Sequence, residues 1–397
     1  VLVYPVDVES HSDDLLCTAV RQQLAQPLTP DIGPVPALDR PLRTRVPDIL
    51  LRLGLVMSAQ GRTGGGRTRS TDALWPILKY FHFFRRSRRG GLLAGPDAAR
   101  YRHHSRGAVS DELGMAFSLL AAERWIVDAG LIPGNIVDLE RHPGPLALNL
   151  ARGRRPDFGY EAFDLGTMTP RWLTVEAKGA SAPASETRAA KQLADAHGQI
   201  TALPNISGLA SVTFTGRGPV SIWAVAAPAE EPLDPVLADF FKFSAGRRRH
   251  RPEARLRHSI SALAAWSGVN MLLGQEREAP VEYTSLRDEW MGHLDVYGRR
   301  GQLEGLEIFR GIDAPLAESL LKGDVDMYLS ARVQLAEQWF ARQSRIDEDD
   351  YRELYEPGST TWVTALAPNG AILAIRGRVK VPERDPRATR LEEMDDE

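Results

Sequence analysis

One cysteine, Cys17, stands in 397 residues. No internal disulfide can form and no cysteine-rich zinc centre is available, so a reducing cytoplasm is the expected compartment. No apolar run approaches the roughly 20 residues of a membrane-spanning helix. The first residues, VLVYPVDVESHSDD, lack a basic segment followed by a long apolar one, so neither a membrane anchor nor a secretory signal is expected. Internal repeats and heptad arrays are missing too. Lysine is scarce: of 49 basic residues only six are lysines, at 79, 178, 191, 242, 322 and 380. Arg serves almost wherever a positive charge is needed. A retained Lys therefore carries information, because its compact ammonium has a tunable pKa that Arg lacks.

What is present suits a folded protein. Hydrophobic residues make up 43% and charged residues 25%, an ordinary globular composition with enough apolar material for a large core. The net charge of -3 hides an asymmetry. Between Arg40 and Arg106 stand 15 basic residues and three acids, a local balance of 15 - 3 = +12, while the chain closes on RLEEMDDE. Such a distribution suits a nucleic-acid binder.

The patterning predicts four stretches. Residues 1–105 read as a basic, irregular and partly helical region, with helices in DDLLCTAVRQQLAQ, VPDILLRLGLVMSAQ and TDALWPILKYFHFFRRSRRGG. Residues 106–230 read as a mixed α/β core. Its helix SDELGMAFSLLAAERWIVDAG has Ser110 as N-cap and Gly130 as stop. NIVDLERH and LALNL, then PDFGYEAFDL and RWLTVEAKG, read as strands, the last two joined by the Gly166–Pro170 turn. A helix over SETRAAKQLADAHGQITAL and strands at SVTFTG and VSIWAVAAP follow. Residues 231–355 read as a mostly helical domain. Residues 356–397 read as a hairpin, with Asn369-Gly370 between two apolar runs, and an acidic tail.

The chemistry concentrates in RRPDFGYEAFDLGTMTPRWLTVEAKGA, residues 154–180. Alternation along a strand puts Trp172, Thr174, Glu176 and Lys178 on one face and Leu173, Val175 and Ala177 on the other. The preceding strand brings Asp157 beside Glu176. Two carboxylates and a main-chain carbonyl, that of Ala177, suit Mg²⁺, which prefers oxygen ligands and keeps several waters. An adjacent lysine can orient or deprotonate water and stabilise charge on a phosphate. Pro-Asp by itself says little, since it recurs at Pro30, Pro47 and Pro96. An acid two residues before a lysine occurs at Glu176/Lys178 alone. The bland rival is a solvated cross-strand face beside a Pro-Asp turn.

Pro156-Asp157 followed by Glu176-Ala177-Lys178 resembles the PD-(D/E)xK nuclease superfamily over roughly residues 110–228. The resemblance implies a restriction-endonuclease-like α/β fold, a mixed β-sheet core flanked by helices. It implies Asp157 and Glu176 as metal ligands, Lys178 as the catalytic lysine, and Mg²⁺ as cofactor with Mn²⁺ able to substitute. It further implies an acid from the preceding helix, Glu112 or else Glu123, and a polar or basic residue on the following helix, for which Lys191, Gln192 and Gln199 are candidates. Gln192 is followed four residues later by Ala196, which departs from the Gln-x-x-x-Tyr pattern of recombination-type nucleases.

The expected activity is therefore Mg²⁺-dependent endonucleolytic cleavage of DNA, restriction-like and in defence against foreign DNA. A homodimer or larger defence complex would suit it. A repair or recombination nuclease, or a non-catalytic nucleic-acid-binding scaffold, are the alternatives. Arg85, Arg86, Arg88 and Arg89, with Arg247, Arg248 and Arg249, are the expected phosphate contacts. His82, His103 and His104 read as surface residues. GRTGGGRTRS lacks the ending of a phosphate loop. WPILKYFHFF and SARVQLAEQWFARQ read as buried helices.

Overall fold

The structure, a computed structural model, describes residues 5–24, 31–59, 74–87, 89–95, 103–139, 155–164, 166, 168, 170–203, 206–228, 263, 266–267, 282–288, 292–303, 306–347 and 362–377. The chain opens with β1 (Val6–His11), whose alternate residues Val6 and Val8 are buried. Helix α1 (Asp14–Gln23) follows, capped by Asp13, whose carboxylate accepts from Leu16 N at 2.7 Å. Next come β2 (Leu42–Thr44), α2 (Val46–Ala59) and α3 (Leu74–Tyr80). The aromatic segment is buried as expected, with Tyr80, Phe81, Phe83 and Phe84 all in the core. Its helix stops at Tyr80, however. Phe84–Arg86 form β3, paired with β4 (Leu92–Ala94) in a two-stranded ribbon. Phe81, His82 and Phe83 make the turn between helix and strand, with Phe83 N donating to Tyr80 O at 3.0 Å.

Helix α4 (His103–Asp128) begins seven residues before the expected cap. Ser110 lies inside it and bonds back to Arg106 O at 2.8 Å. Gly130 ends it with φ 74°, a left-handed value that glycine adopts without steric cost. Then follow β5 (Leu131–Asp138), β6 (Phe158–Asp164), β7 (Pro170–Ala180), α5 (Glu186–Ile200), β8 (Gly208–Phe214) and β9 (Ser221–Ala227), in the expected order, with β5 beginning four residues before NIVDLERH and β8 three residues before SVTFTG. The LALNL segment lies outside the described residues. These strands form one mixed sheet in the order β2-β1-β9-β8-β7-β6-β5. β5, β6 and β7 run antiparallel, β7 and β8 parallel, and β8 and β9 antiparallel.

The first seam expected in the sequence, near residue 105, is not a structural boundary. β1 pairs with β9 in parallel, Glu9 opposite Ser221, and β2 adds to β1, so the N-terminal segment completes the central sheet. That pairing links residues some 200 positions apart, which local periodicity cannot report.

Among the described residues of the region from 231 to 355 stand the helices α6 (Ala314–Lys322) and α7 (Val325–Asp347), preceded by three strands that the patterning did not mark, β10 (Glu282–Asp288), β11 (Gly292–Leu303) and β12 (Leu306–Asp313). The predicted hairpin, β13 (Val363–Leu366) and β14 (Ala371–Gly377), joins these strands in an antiparallel sheet ordered β10-β11-β12-β14-β13. Gly370 N bonds Ala367 O at 2.9 Å, and Gly370 takes φ 89°, the left-handed end of a three-residue hairpin loop. The strands escaped notice because charged residues interrupt their apolar positions, as in GHLDVYGRRGQL. Helix α7 is buried along Tyr328, Leu335 and Trp339, as a core helix should be.

Buried ion pairs fasten the two sheets together. Asp48 on α2 accepts from Arg45 Nε and from Arg342 Nη2 of α7, both at 2.9 Å. Arg45 and Arg342 also reach Thr364 O on β13. Arg52 on α2 grips Glu123 of α4 at 2.7 Å, and Tyr160 of β6 donates to the same carboxylate at 3.2 Å. Asp48, Arg45, Arg52 and Glu123 are each less than 5% exposed.

Candidate active site

The hairpin β6–β7 builds the centre. Its register sets Phe158 opposite Val175, so Asp157 arrives beside Glu176. Each acid then bonds the other's strand. Asp157 N donates to Glu176 Oε2 at 3.1 Å, and Ala177 N donates to Asp157 Oδ2 at 2.8 Å. Lys178 Nζ donates to Glu176 Oε1, and to Gln199 Oε1 on α5 at 3.2 Å. Gln199 Nε2 in turn donates to Arg155 O at 3.0 Å, tying the helix to the segment that carries Asp157. Four residues that the sequence singled out are thus brought into one hydrogen-bonded group. Of the other α5 candidates, Lys191 is exposed and Gln192 half-buried, and neither joins that group.

Strand alternation holds, but with a difference. Leu173 and Val175 face the main core, as expected. Thr174 and Glu176, however, are 0% exposed as well, because α5 covers their face. Lys178 is where the centre opens, its side chain 34% exposed. An ammonium has three donors. Two are engaged by Glu176 and Gln199, which leaves one for a further acceptor.

Burial, and then the negative charge of Asp157, push Glu176 up to about 8, against an opposing pull from Lys178. Burial lowers Lys178, but Glu176, then Asp157 and Asp195, more than offset it and hold the ammonium above its ordinary value. Lys178 in this state is a fixed positive charge rather than a base. Asp195 was not singled out in the sequence. It lies four residues before Gln199, one turn along the same helical face, and that spacing was the available signal.

The raised Glu176 value has a pH consequence. Its neutral form is favoured in the folded state, so its contribution to stability is complete below 4.5 and is lost as pH rises through about 8. Without divalent metal, wild type should lose melting temperature relative to Glu176→Gln between those pH values. A difference that stays flat across thermal melts from pH 5 to pH 9 would refute this.

Helix α4 crosses directly over the end of β7. A Cβ on Gly179 would sit 1.9 Å from Ser110 O, and one on Gly114 2.8 Å from Lys178 O. Both contacts are to backbone, which cannot step aside. Gly179→Ala should therefore cost about 1–3 kcal/mol or more by overpacking. A lowered urea midpoint measures that cost. This crossing brings Asp111 within electrostatic reach of Lys178. Desolvation where the helix crosses the strand holds Asp111 above its ordinary range although the residue keeps an exposed surface; Lys178 lowers it and Glu112 raises it.

The helix acids preferred from sequence are used elsewhere. Glu112 accepts from Lys79 Nζ at 2.9 Å and Tyr80 OH at 2.7 Å. Glu123 is held by Arg52 and Tyr160. Among the described residues no three His, Cys, Asp or Glu side chains cluster as a metal-holding group. The oxygen donors at the centre are Asp157, Glu176 and main-chain carbonyls. Two crowded carboxylates, one raised by its neighbour's charge, form a donor set that a hard divalent cation relieves, and Mg²⁺ is commonly held by one or two protein carboxylates with waters.

Arg85, Arg86 and Arg89 are exposed on and beside the β3–β4 ribbon. Phe84 of that ribbon packs edge-on against Phe117 of α4, with ring centroids 6.2 Å apart. Arg88 and Arg247, Arg248 and Arg249 lie outside the described residues. No family model, curated protein or solved structure matches the chain. No helix among the described residues is long and apolar enough to cross a membrane. The fold is mixed α/β with two principal sheets.

Proposed function

We propose that this chain is a Mg²⁺-dependent endodeoxyribonuclease with a restriction-endonuclease-like core. The observation that carries the proposal is the convergence of Asp157, Glu176, Lys178 and Gln199, from β6, β7 and α5, into one hydrogen-bonded group. The mixed sheet with helices packed on it, and the motif astride an antiparallel hairpin, support the same reading.

Asp157, Glu176 and the Ala177 carbonyl would hold the metal, which supplies Lewis-acid polarisation of the phosphate and a more acidic water. Lys178 supplies a positive charge at the open edge, where its remaining N–H can bind a phosphate oxygen. Gln199 fixes that ammonium and the Arg155 carbonyl together, so the lysine stays aimed along the strand. Burial of Glu176 keeps bulk water from its own carboxylate and strengthens the charge interactions it makes. The exposed Arg85, Arg86 and Arg89 offer contacts to the DNA backbone.

Incubating purified protein with supercoiled circular and with linear DNA, with and without Mg²⁺ or Mn²⁺, tests the proposal. Nicked or linearised circles should appear only with metal, and not with Asp157→Ala. Cleavage confined to linear DNA would exclude the endonuclease assignment. Equal product from Asp157→Ala would exclude this site.

A further inference from the structure

Strand register gathers exposed arginines at one end of the central sheet, including two, Arg106 and Arg217, that the sequence did not single out. Ala180 of β7, Phe214 of β8, Ser221 of β9 and Glu9 of β1 form one row across four strands. Lys178 lies two residues before that row, so its ammonium belongs to this end of the sheet.

Three segments reach past the row. The β8–β9 turn carries Arg217, which is exposed, beside Gly218 at φ 107°. Helix α4 overhangs that turn. Ser110 Oγ lies 3.2 Å from Thr215 Oγ1, and Ser118 Oγ lies 2.5 Å from Ser211 Oγ, deeper in the sheet. The helix therefore runs down from this end, and the residues before Ser110 stand beyond it. Ser105, Arg106, Gly107 and Ala108 are exposed there. The third segment is the β3–β4 ribbon. Val220 N donates to Leu92 O at 2.8 Å and Asp7 N to Gly90 O at 3.1 Å, which fixes the ribbon beside β9 and the start of β1. Arg85, Arg86 and Arg89 are exposed on it. The acids on these segments are fewer: Asp111 near Lys178, and Asp7 and Glu9 on β1.

β9 and β1 stand two and three strand steps from β7. At about 4.8 Å a step, that is about 10–14 Å, or about three to four base pairs of rise along a duplex. We infer that a DNA duplex lies across this end of the sheet. Arg217 and Arg106 hold its backbone beside the candidate centre, and the ribbon arginines hold it farther along. Arginine's planar fork suits phosphate oxygens, and contacts of this kind set the position of a duplex. Backbone bonds to two sheet strands make the ribbon a fixed support. The inference rests on the nuclease reading for the identity of the polymer.

Fluorescence anisotropy on a labelled duplex, without divalent metal and across a sodium chloride series, tests it on the full chain. Arg217→Gln, Arg106→Gln and Arg86→Gln should each bind about three- to tenfold more weakly, with a salt slope shallower by about one. The double variant Arg86→Gln/Arg217→Gln should lose about two from the slope, because one duplex spans both positions. Arg287→Gln, at an exposed arginine on β10 of the second sheet, should bind as wild type does. Circular dichroism checks the fold of each variant. Wild-type affinity in Arg217→Gln and Arg106→Gln overturns the inference. So does an equal loss in Arg287→Gln, or a wild type that binds no duplex. Cleavage assays separate this surface from the reading beneath it. Arginine-dependent binding with no metal-dependent cleavage keeps the surface and removes the nuclease. Metal-dependent cleavage with unaltered binding in the arginine variants keeps the nuclease and removes the surface.

Discussion

Lys178→Met should lower the rate of metal-dependent DNA cleavage by about 10²- to 10⁴-fold, the range for losing a group that acts in the transition state. The fold should survive. The ammonium sits at the open edge of the centre, and Glu176, left without it, can take up a proton because burial and Asp157 already favour its neutral form. Lys178→Arg is the sharper companion. It keeps the positive charge but replaces a compact ammonium, held by Glu176 and Gln199, with a wider planar fork. It should recover little of the lost rate. Gln199→Ala removes the group that aims the lysine, together with its bond to Arg155 O, and a loss of at least about tenfold is expected, the value of one hydrogen bond to a charged group. Single-turnover cleavage of circular DNA measures all three, with circular dichroism reporting the fold. Wild-type rates from Lys178→Met would remove Lys178 from the mechanism.

Asp48→Ala should destabilise the protein by about 3–5 kcal/mol, because it leaves buried arginines without their carboxylate. Asp48 is 4% exposed and bonded to Arg45 and Arg342, with Arg52 at 3.6 Å. These contacts join α2 to α7 and, through Thr364 O, to the second sheet. Removing the acid therefore loosens the seam between the sheets, not a local turn. Asp48→Asn retains the shape and some hydrogen bonds, so its loss should be smaller. Urea titrations followed by tryptophan fluorescence measure both. A change under about 1 kcal/mol in Asp48→Ala, the level of an exposed pair, would show that the seam does not rest on these charges.

The motif was legible because it is local. Asp157, Glu176 and Lys178 lie on two strands joined by a short turn, so strand alternation and the length of the connection almost fix their juxtaposition. Gln199 was legible as one of several polar residues on the next helix, but its choice over Lys191 and Gln192 depends on where α5 crosses β7. Glu112 and Glu123 illustrate the opposite case. Each is an acid on the right helix, and each is claimed by a basic residue from another segment, Lys79 in one case and Arg52 in the other. Helical spacing says which residues share a face but not what packs upon it.

The same distinction divides the fold. The order of elements from α4 to β9, the Gly130 stop and the Asn369-Gly370 hairpin follow from periodicity and turn chemistry over a few residues. By itself the sequence determined the central meander, its acid–acid–lysine face and the excess of arginine over lysine. Only the tertiary structure decided that β1 and β2 complete the central sheet, and that the charged segments after residue 281 pair as strands. It also decided that Glu176 is sealed beneath α5 while Lys178 stays open. The physical reason is the same in each case. These outcomes are set by hydrogen bonds and charge pairs between segments far apart in the chain, whose energies appear only when the segments meet.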